Sequence, residues 1–178
     1  MEIYLIRHTE TVCEKGICYG QTDVNIAEPF EEVFKNILSQ LPSEAVLFSS
    51  PLKRCVLLAD YIKNNIKIDS YQKDRRLMEM NFGDWEMVSW NEIPQEQLNP
   101  WMEDFVNIKV SNGESFTELH ERTKSFLNEK TSKDVLQPII IVAHAGIIRS
   151  ILCHQTSLPL KDAFQNNVDF GEVIRIEV

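Results

Sequence analysis

Cysteine is sparse in this chain and follows no repeating pattern. Cys13, Cys18, Cys55 and Cys153 are its four in 178 residues, too scattered for a disulfide-stapled scaffold. The pair in "CEKGIC" has no second pair at a spacing that would complete a zinc site, so no metal is expected. Positive charge is also short: 18 Lys and Arg stand against 27 Asp and Glu, a formal charge of −9. Such a surface repels phosphate backbones and anionic headgroups, which argues against nucleic acid or a membrane as partner. No apolar run approaches the roughly 20 residues that span a bilayer. The first residues lack the basic start and small-residue cleavage site of a secretory leader, so a reduced, cytoplasmic setting is the expectation. Internal repeats and low-complexity tracts are missing too. An anionic small molecule would have to be held by a few cations gathered in one place.

What the chain does have is an ordinary globular composition, 43% hydrophobic and 25% charged, and enough length to bury one sizeable core. One domain over residues 1–178 is expected. Apolar, β-rich runs recur at Ile3 to Ile6, Val46 to Phe48, Ile139 to Val142 and Val173 to Ile176. Between them Phe30, Val33, Phe34, Ile37, Leu38 and Leu41 fall at helical steps. Ser50-Pro51 offers an N-cap and first-turn proline for a helix running from Leu52 to Ile62. Ser115 with Glu118 reads as a capping box opening another helix. "IIIVAHAGIIRSILC" reads strand, tight turn, helix. Strands alternating with helices predict a three-layer α/β/α fold with a mostly parallel central sheet. The weaker pattern at about 80–113, with Trp85, Trp90, Trp101, Pro94 and Pro100, predicts a small cap inserted beside that sheet.

Three segments end alike. "YLIRH" closes a strand on Arg7 and His8. "VLFSSPLKR" closes another and brings Arg54 into the next helix. "IIIVAHAG" closes a third on His144, followed by the small pair Ala145 and Gly146. In open parallel sheets ligands bind beyond the carboxyl ends of the strands. If the three strands are neighbours, two imidazoles and two guanidiniums converge there beside helix N-termini. That set suits a phosphoryl group. Arginine grips phosphate oxygens with a planar fork, and an imidazole can attack phosphorus and carry the group covalently. Taken singly, each residue has a plainer role: His144 as a hydrogen-bonded strand end, Arg54 as a solvated helix residue. The repetition at three strand ends favours the shared site.

With these motifs in this order, the chain resembles the histidine phosphatase superfamily, which includes cofactor-dependent phosphoglycerate mutases and many phosphomonoesterases. "LIRHTET" is similar to its Arg-His-Gly signature, "SSPLKRC" to its second arginine motif and "VAHAG" to its second histidine motif. The resemblance implies a phosphoglycerate mutase-like fold and no metal or cofactor. It implies His8 as the phosphorylated nucleophile, with Arg7, Arg54 and His144 around the phosphate. Glu79 of "RRLMEMNFGDWE" is implied as the proton donor. Within the superfamily, "CYGQTDV", "LMEMNFGDWEM", "NGESFTELHERTKSFL" and "NNVDFGEVIRIEV" resemble α-ribazole phosphatases of cobalamin synthesis. The expected activity is hydrolysis of α-ribazole 5′-phosphate through a phosphohistidine. The alternatives are another small-molecule phosphatase or a phosphoglycerate mutase, and, in a different class, a non-catalytic phospho-ligand module.

The chain departs from the pattern at three points. Thr9 stands where the signature has glycine, Glu14 stands where many members carry a phosphate-contacting asparagine, and "NIAEPFEEV" replaces the usual "LTxxG". A carboxylate beside a dianion would repel it, so Glu14 is expected to point away. His120 is expected on a surface or half-buried helix position and His154 at a helix C-terminus. The three tryptophans are expected to pack the core or cap rather than stack a ligand.

Overall fold

The computed structural model describes residues 1–131 and 137–177. In chain order its elements are β1 (Glu2–Arg7), β2 (Ile17–Cys18), α1 (Glu31–Leu38), β3 (Glu44–Ser49), α2 (Lys53–Asn65) and β4 (Lys67–Lys73). Then follow β5 (Val88–Ser89), α3 (Gln95–Glu103), α4 (Phe116–Lys130), β6 (Ile139–Ala143), α5 (Ala145–Thr156) and β7 (Val173–Glu177). Five strands form one sheet in the order β4-β3-β6-β1-β7. The first four are parallel, and β7 pairs antiparallel with β1 at the edge. The sheet is therefore mostly parallel, as the alternation of strands and helices predicts.

The strand period of two builds the layers. Ile3 and Leu5 of β1, with Ile139 and Ile141 of β6, face Leu119 and Phe126 of α4 and Ile147 and Ile151 of α5. Their alternates Tyr4, Ile6, Ile140 and Val142 face Phe34 and Ile37 of α1 and Cys55, Leu58 and Ile62 of α2. Both faces of β6 are covered, which is why every residue of "IIIVA" is buried. Each aliphatic side chain so enclosed contributes roughly 1.5–3 kcal/mol.

The capping box is present: Ser115 Oγ accepts from the Glu118 amide, and the Glu118 carboxylate accepts from the Ser115 amide at 2.9 Å. Ser50, by contrast, does not cap α2. It still belongs to the sheet ladder, its N–H donating to the Val142 carbonyl at 3.0 Å, so Leu52 becomes the N-cap and Pro51 stays outside the helix. β4 is a strand the sequence pattern does not announce. Its residues "KIDSYQK" are mostly exposed at the sheet edge, and only Ile68 and Tyr71 turn partly inward. Between Met80 and Gly113, Phe82, Trp85, Trp90, Trp101 and Phe105 pack edge-on or stacked with ring centroids 5.5 to 6.2 Å apart. The tryptophans pack against one another here, and Trp90 and Trp101 also reach cavity walls. The β2–β5 pair ties this aromatic cluster to the loop after β1.

Candidate active site

Strand register brings the three motifs together. Ala143 lies beside Arg7, and Val142 lies beside Ser49. His8 and His144 therefore emerge at one level from the carboxyl ends of adjacent strands β1 and β6, with Ser50, just past the end of the neighbouring strand β3, one residue below. The His8 and His144 rings meet edge to face with centroids 5.1 Å apart. Both are buried, at 2% and 0% exposure, and Arg54 is 1% exposed.

The partners of His8 fix its tautomer. Its Nδ1 lies 2.7 Å from the Thr9 carbonyl, which can only accept, so Nδ1 carries the proton. Nε2, with no partner among the described residues, keeps its lone pair. Burial, then the charges of Arg54 and Arg7, push the His8 pKa down to about 3. His144 is lowered well below its usual value by the same causes, burial first and Arg54 next. Its Nδ1 accepts from Arg54 Nε at 3.3 Å, and Nε2 lies 2.8 Å from Ser50 Oγ. Nε2 therefore carries the His144 proton and donates to Ser50.

Arg54 is not the solvated helix residue of the plainer reading. Its two terminal nitrogens donate to the carbonyls of Thr22 at 2.8 Å and Gly20 at 2.5 Å. Arg7 donates to the Val168 carbonyl at 2.7 Å and lies 3.6 Å over the Phe170 ring. No carboxylate lies within ion-pair distance of either guanidinium among the described residues, although burial of Arg7 lowers its pKa. One buried and one half-buried cation, held by carbonyls and rings rather than by carboxylates, leave charge available to an incoming anion. Arg7, His8 and Glu79 line one cavity of about 160 Å³ with Tyr19, Phe82 and Trp90. Arg54 and His144 stand behind His8 and do not line it.

Glu79 enters from the segment after β4. Its two oxygens accept from the amides of Met80 at 2.9 Å and Gly146 at 3.2 Å. A side chain at position 146 would overlap the Glu79 carboxylate, so the glycine opening α5 is what admits the acid to the site. Glu14 is exposed and Thr9 buried, with Thr9 Oγ1 lacking a partner among the described residues.

A sequence model of the histidine phosphatase superfamily (branch 1) matches residues 3–178. The chain belongs to the histidine phosphatase superfamily. Its relatives include phosphoserine phosphatase 1 of Hydrogenobacter thermophilus, 27% identical over 86% of this chain and 75% of that protein. The adenosylcobalamin/alpha-ribazole phosphatase of Escherichia coli is 25% identical over 96% of this chain and 87% of that one. Among solved structures, the alpha-ribazole phosphatase of Shigella flexneri superposes with a TM-score of 0.90 at 26% identity, covering 100% of this chain and 91% of that one.

In this histidine phosphatase superfamily member, several supporting residues escape the sequence reading. Ser50 anchors His144. Tyr19 lies between the arginines, its ring 5.2 Å from the Arg54 guanidinium. The Glu86 carboxylate accepts from the amides of Gln21 at 2.7 Å and Thr22 at 2.6 Å. It thereby fixes the loop whose carbonyls hold Arg54. Arg122 pairs with Glu114 at 2.6 Å and donates to the Glu79 carbonyl at 3.0 Å, steadying the acid's backbone. Their contacts join residues far apart in sequence, so local pattern carries little signal for them. The nearest available cue was polar residues clustered in "FGDWE" and "NGES".

Two expectations follow from this geometry. Arg54→Lys keeps the charge but loses the fork across Gly20, Thr22 and His144, so kcat/KM for phosphate esters should fall about 100-fold or more. Steady-state kinetics beside a thermal melt checks this; a near-native rate would remove Arg54 from the anion clamp. The second concerns acid stability. Between His8's ordinary value of 6.5 and about 3, the unfolded chain takes up a proton that the folded chain refuses. Stability therefore falls as pH is lowered through that window, by ~2 kcal/mol from His8 alone between pH 6.5 and 5. Urea titrations at those two pH values should show a correspondingly smaller loss in His8→Asn.

Proposed function

We propose that this chain is a metal-independent phosphomonoesterase that passes the phosphoryl group through His8. The observation that carries the reading is a neutral imidazole with Nδ1 tied to the Thr9 carbonyl and Nε2 unengaged. It lines a cavity shared with Arg7 and Glu79, and Arg54 lies behind it. In the first step Nε2 attacks phosphorus in line, the N–P bond forms and the P–O ester bond breaks. Glu79, protonated, gives its proton to the departing alkoxide. In the second, water attacks phosphorus while Glu79 takes its proton, the O–P bond forms as the N–P bond to His8 breaks, and inorganic phosphate leaves with Nε2 restored. Arg7 and Arg54 balance the charge on the equatorial oxygens. His144 locks Arg54 and Ser50 around His8; its own contact with phosphate requires Ser50 to release Nε2.

α-Ribazole 5′-phosphate is the substrate supported by the sequence motifs and by the similarity to alpha-ribazole phosphatases over 96% of this chain. A second reading, a small phosphorylated acid of the phosphoserine kind, is favoured by Arg149, a guanidinium beside Glu79 without a carboxylate partner among the described residues. The test compares kcat/KM across α-ribazole 5′-phosphate, O-phosphoserine, 3-phosphoglycerate and 4-nitrophenyl phosphate, scoring both phosphate release and phosphoglycerate isomerisation. Phosphate release without isomerisation is expected. Isomerisation outpacing release would make the chain a mutase, and turnover of no ester would return the non-catalytic binding module.

A further inference from the structure

A second cavity, of about 100 Å³, shares Glu79 and Phe82 with the His8 cavity. Gly146, Phe105, Phe164 and Arg149 are also on its wall. An ester oxygen leaving phosphorus in the first cavity is protonated at Glu79, so the remainder of the leaving group is directed along Glu79 toward the second. The leaving group meets aromatic walls there and one cation. Arg149 projects from α5 three residues after Gly146 and is half-buried. Its Nε donates to the Asn166 carbonyl at 3.1 Å, and its guanidinium lies 4.9 Å over the Phe164 ring. Phe164 in turn meets Phe105 edge to face at 5.0 Å.

These contacts use one edge and one face of the guanidinium. The two terminal nitrogens have no partner among the described residues. In a chain with 27 acidic residues, Arg76, Arg122 and Arg175 each pair with a carboxylate. Arg149 pairs with none among the described residues, like Arg7, Arg54 and the solvent-exposed Arg75. A guanidinium held at Nε and stacked on a ring presents its two outer N–H groups as a pre-set fork for a carboxylate. The cavity fits a leaving group of a few heavy atoms whose carboxylate reaches Arg149.

We infer that Arg149, set by Phe164 and the Asn166 carbonyl, is a specificity-determining residue that binds a carboxylate on the leaving group, making compact phosphorylated hydroxy or amino acids the preferred substrates. This rests on the phosphomonoesterase reading and takes the second of its two substrate readings over α-ribazole 5′-phosphate.

The experiment uses pairs of esters that differ by the carboxylate: O-phosphoserine with phosphoethanolamine, and 3-phosphoglycerate with glycerol 3-phosphate. The wild-type protein should prefer the carboxylated member of each pair by about 10- to 100-fold in kcat/KM, the span of a charge-assisted bidentate contact. Arg149→Gln should bring both ratios to within about threefold of unity. A ratio taken within one protein does not depend on its folded fraction, and the wild-type pairs need no variant. Wild-type ratios near unity would overturn the inference. So would ratios that survive Arg149→Gln, or α-ribazole 5′-phosphate outrunning both carboxylated esters. In each of these cases hydrolysis of 4-nitrophenyl phosphate leaves the phosphomonoesterase reading standing. Inertness toward every ester would end that reading and this inference together.

Discussion

Replacing His8 by alanine should lower phosphate release by about four orders of magnitude or more, whichever ester is offered. Nothing else at the strand ends has the right atom. His144 has both ring nitrogens engaged, by Arg54 and by Ser50. The Cys55 thiol is buried and its pKa is pushed up, so it is no thiolate nucleophile. Because His8 emerges directly from β1 and its amide continues the ladder to the Ala143 carbonyl, alanine removes the ring without altering the backbone bond. His8→Asn separates chemistry from folding further, since an amide can still donate to the Thr9 carbonyl. Both variants should be inert. Retention of more than about one percent of the activity in either would move the nucleophile elsewhere.

Glu79→Gln should divide substrates by leaving group. For alkyl phosphates, whose departing alkoxide needs a proton, kcat/KM should fall about 100- to 10,000-fold. For 4-nitrophenyl phosphate, whose leaving group is stable as an anion, the loss should stay within about tenfold, because kcat/KM reports only the first transfer. The second step still lacks its base, so a burst of nitrophenolate followed by slow turnover is the expected time course. The substitution is close to isosteric but not silent. Both carboxylate oxygens accept backbone amides, from Met80 and Gly146, and a glutamine can accept only one of them in the same pose. Equal losses on both ester classes would assign Glu79 a positioning role instead of proton transfer.

The sequence shows its fold most clearly where one physical demand dominates. β1, β3 and β6 are apolar because they are enclosed, β7 at the edge keeps Ile174 and Ile176 partly covered, and the Ser115–Glu118 box opens α4 through bonds three residues apart. β4 is hidden because an exposed edge needs no apolar alternation, and Ser50 misleads because a serine before proline also fits a helix cap. The candidate anion site is legible in part for the same reason. Arg7, His8, Arg54 and His144 each sit within a few residues of a strand end, and parallel register does the rest. Glu79 comes from a segment without regular pattern and is found only through resemblance. Glu86, Glu114 and Arg122 act on backbone amides and carbonyls from distant parts of the chain. Arg149 did have a local sign, a charge inside the apolar run "AGIIRSILC" three residues after the glycine that admits Glu79. One helical turn puts the two on a common face.

The central claim is that phosphate is carried on His8, and the direct measurement is to trap it. The protein is mixed with a radiolabelled phosphate ester, quenched within milliseconds in alkaline denaturant, digested, and the label mapped. The account predicts an alkali-stable, acid-labile label on the peptide containing Arg7 and His8, approaching one per chain. Label on any other side chain, or full turnover with no covalent label at any quench time, would contradict it.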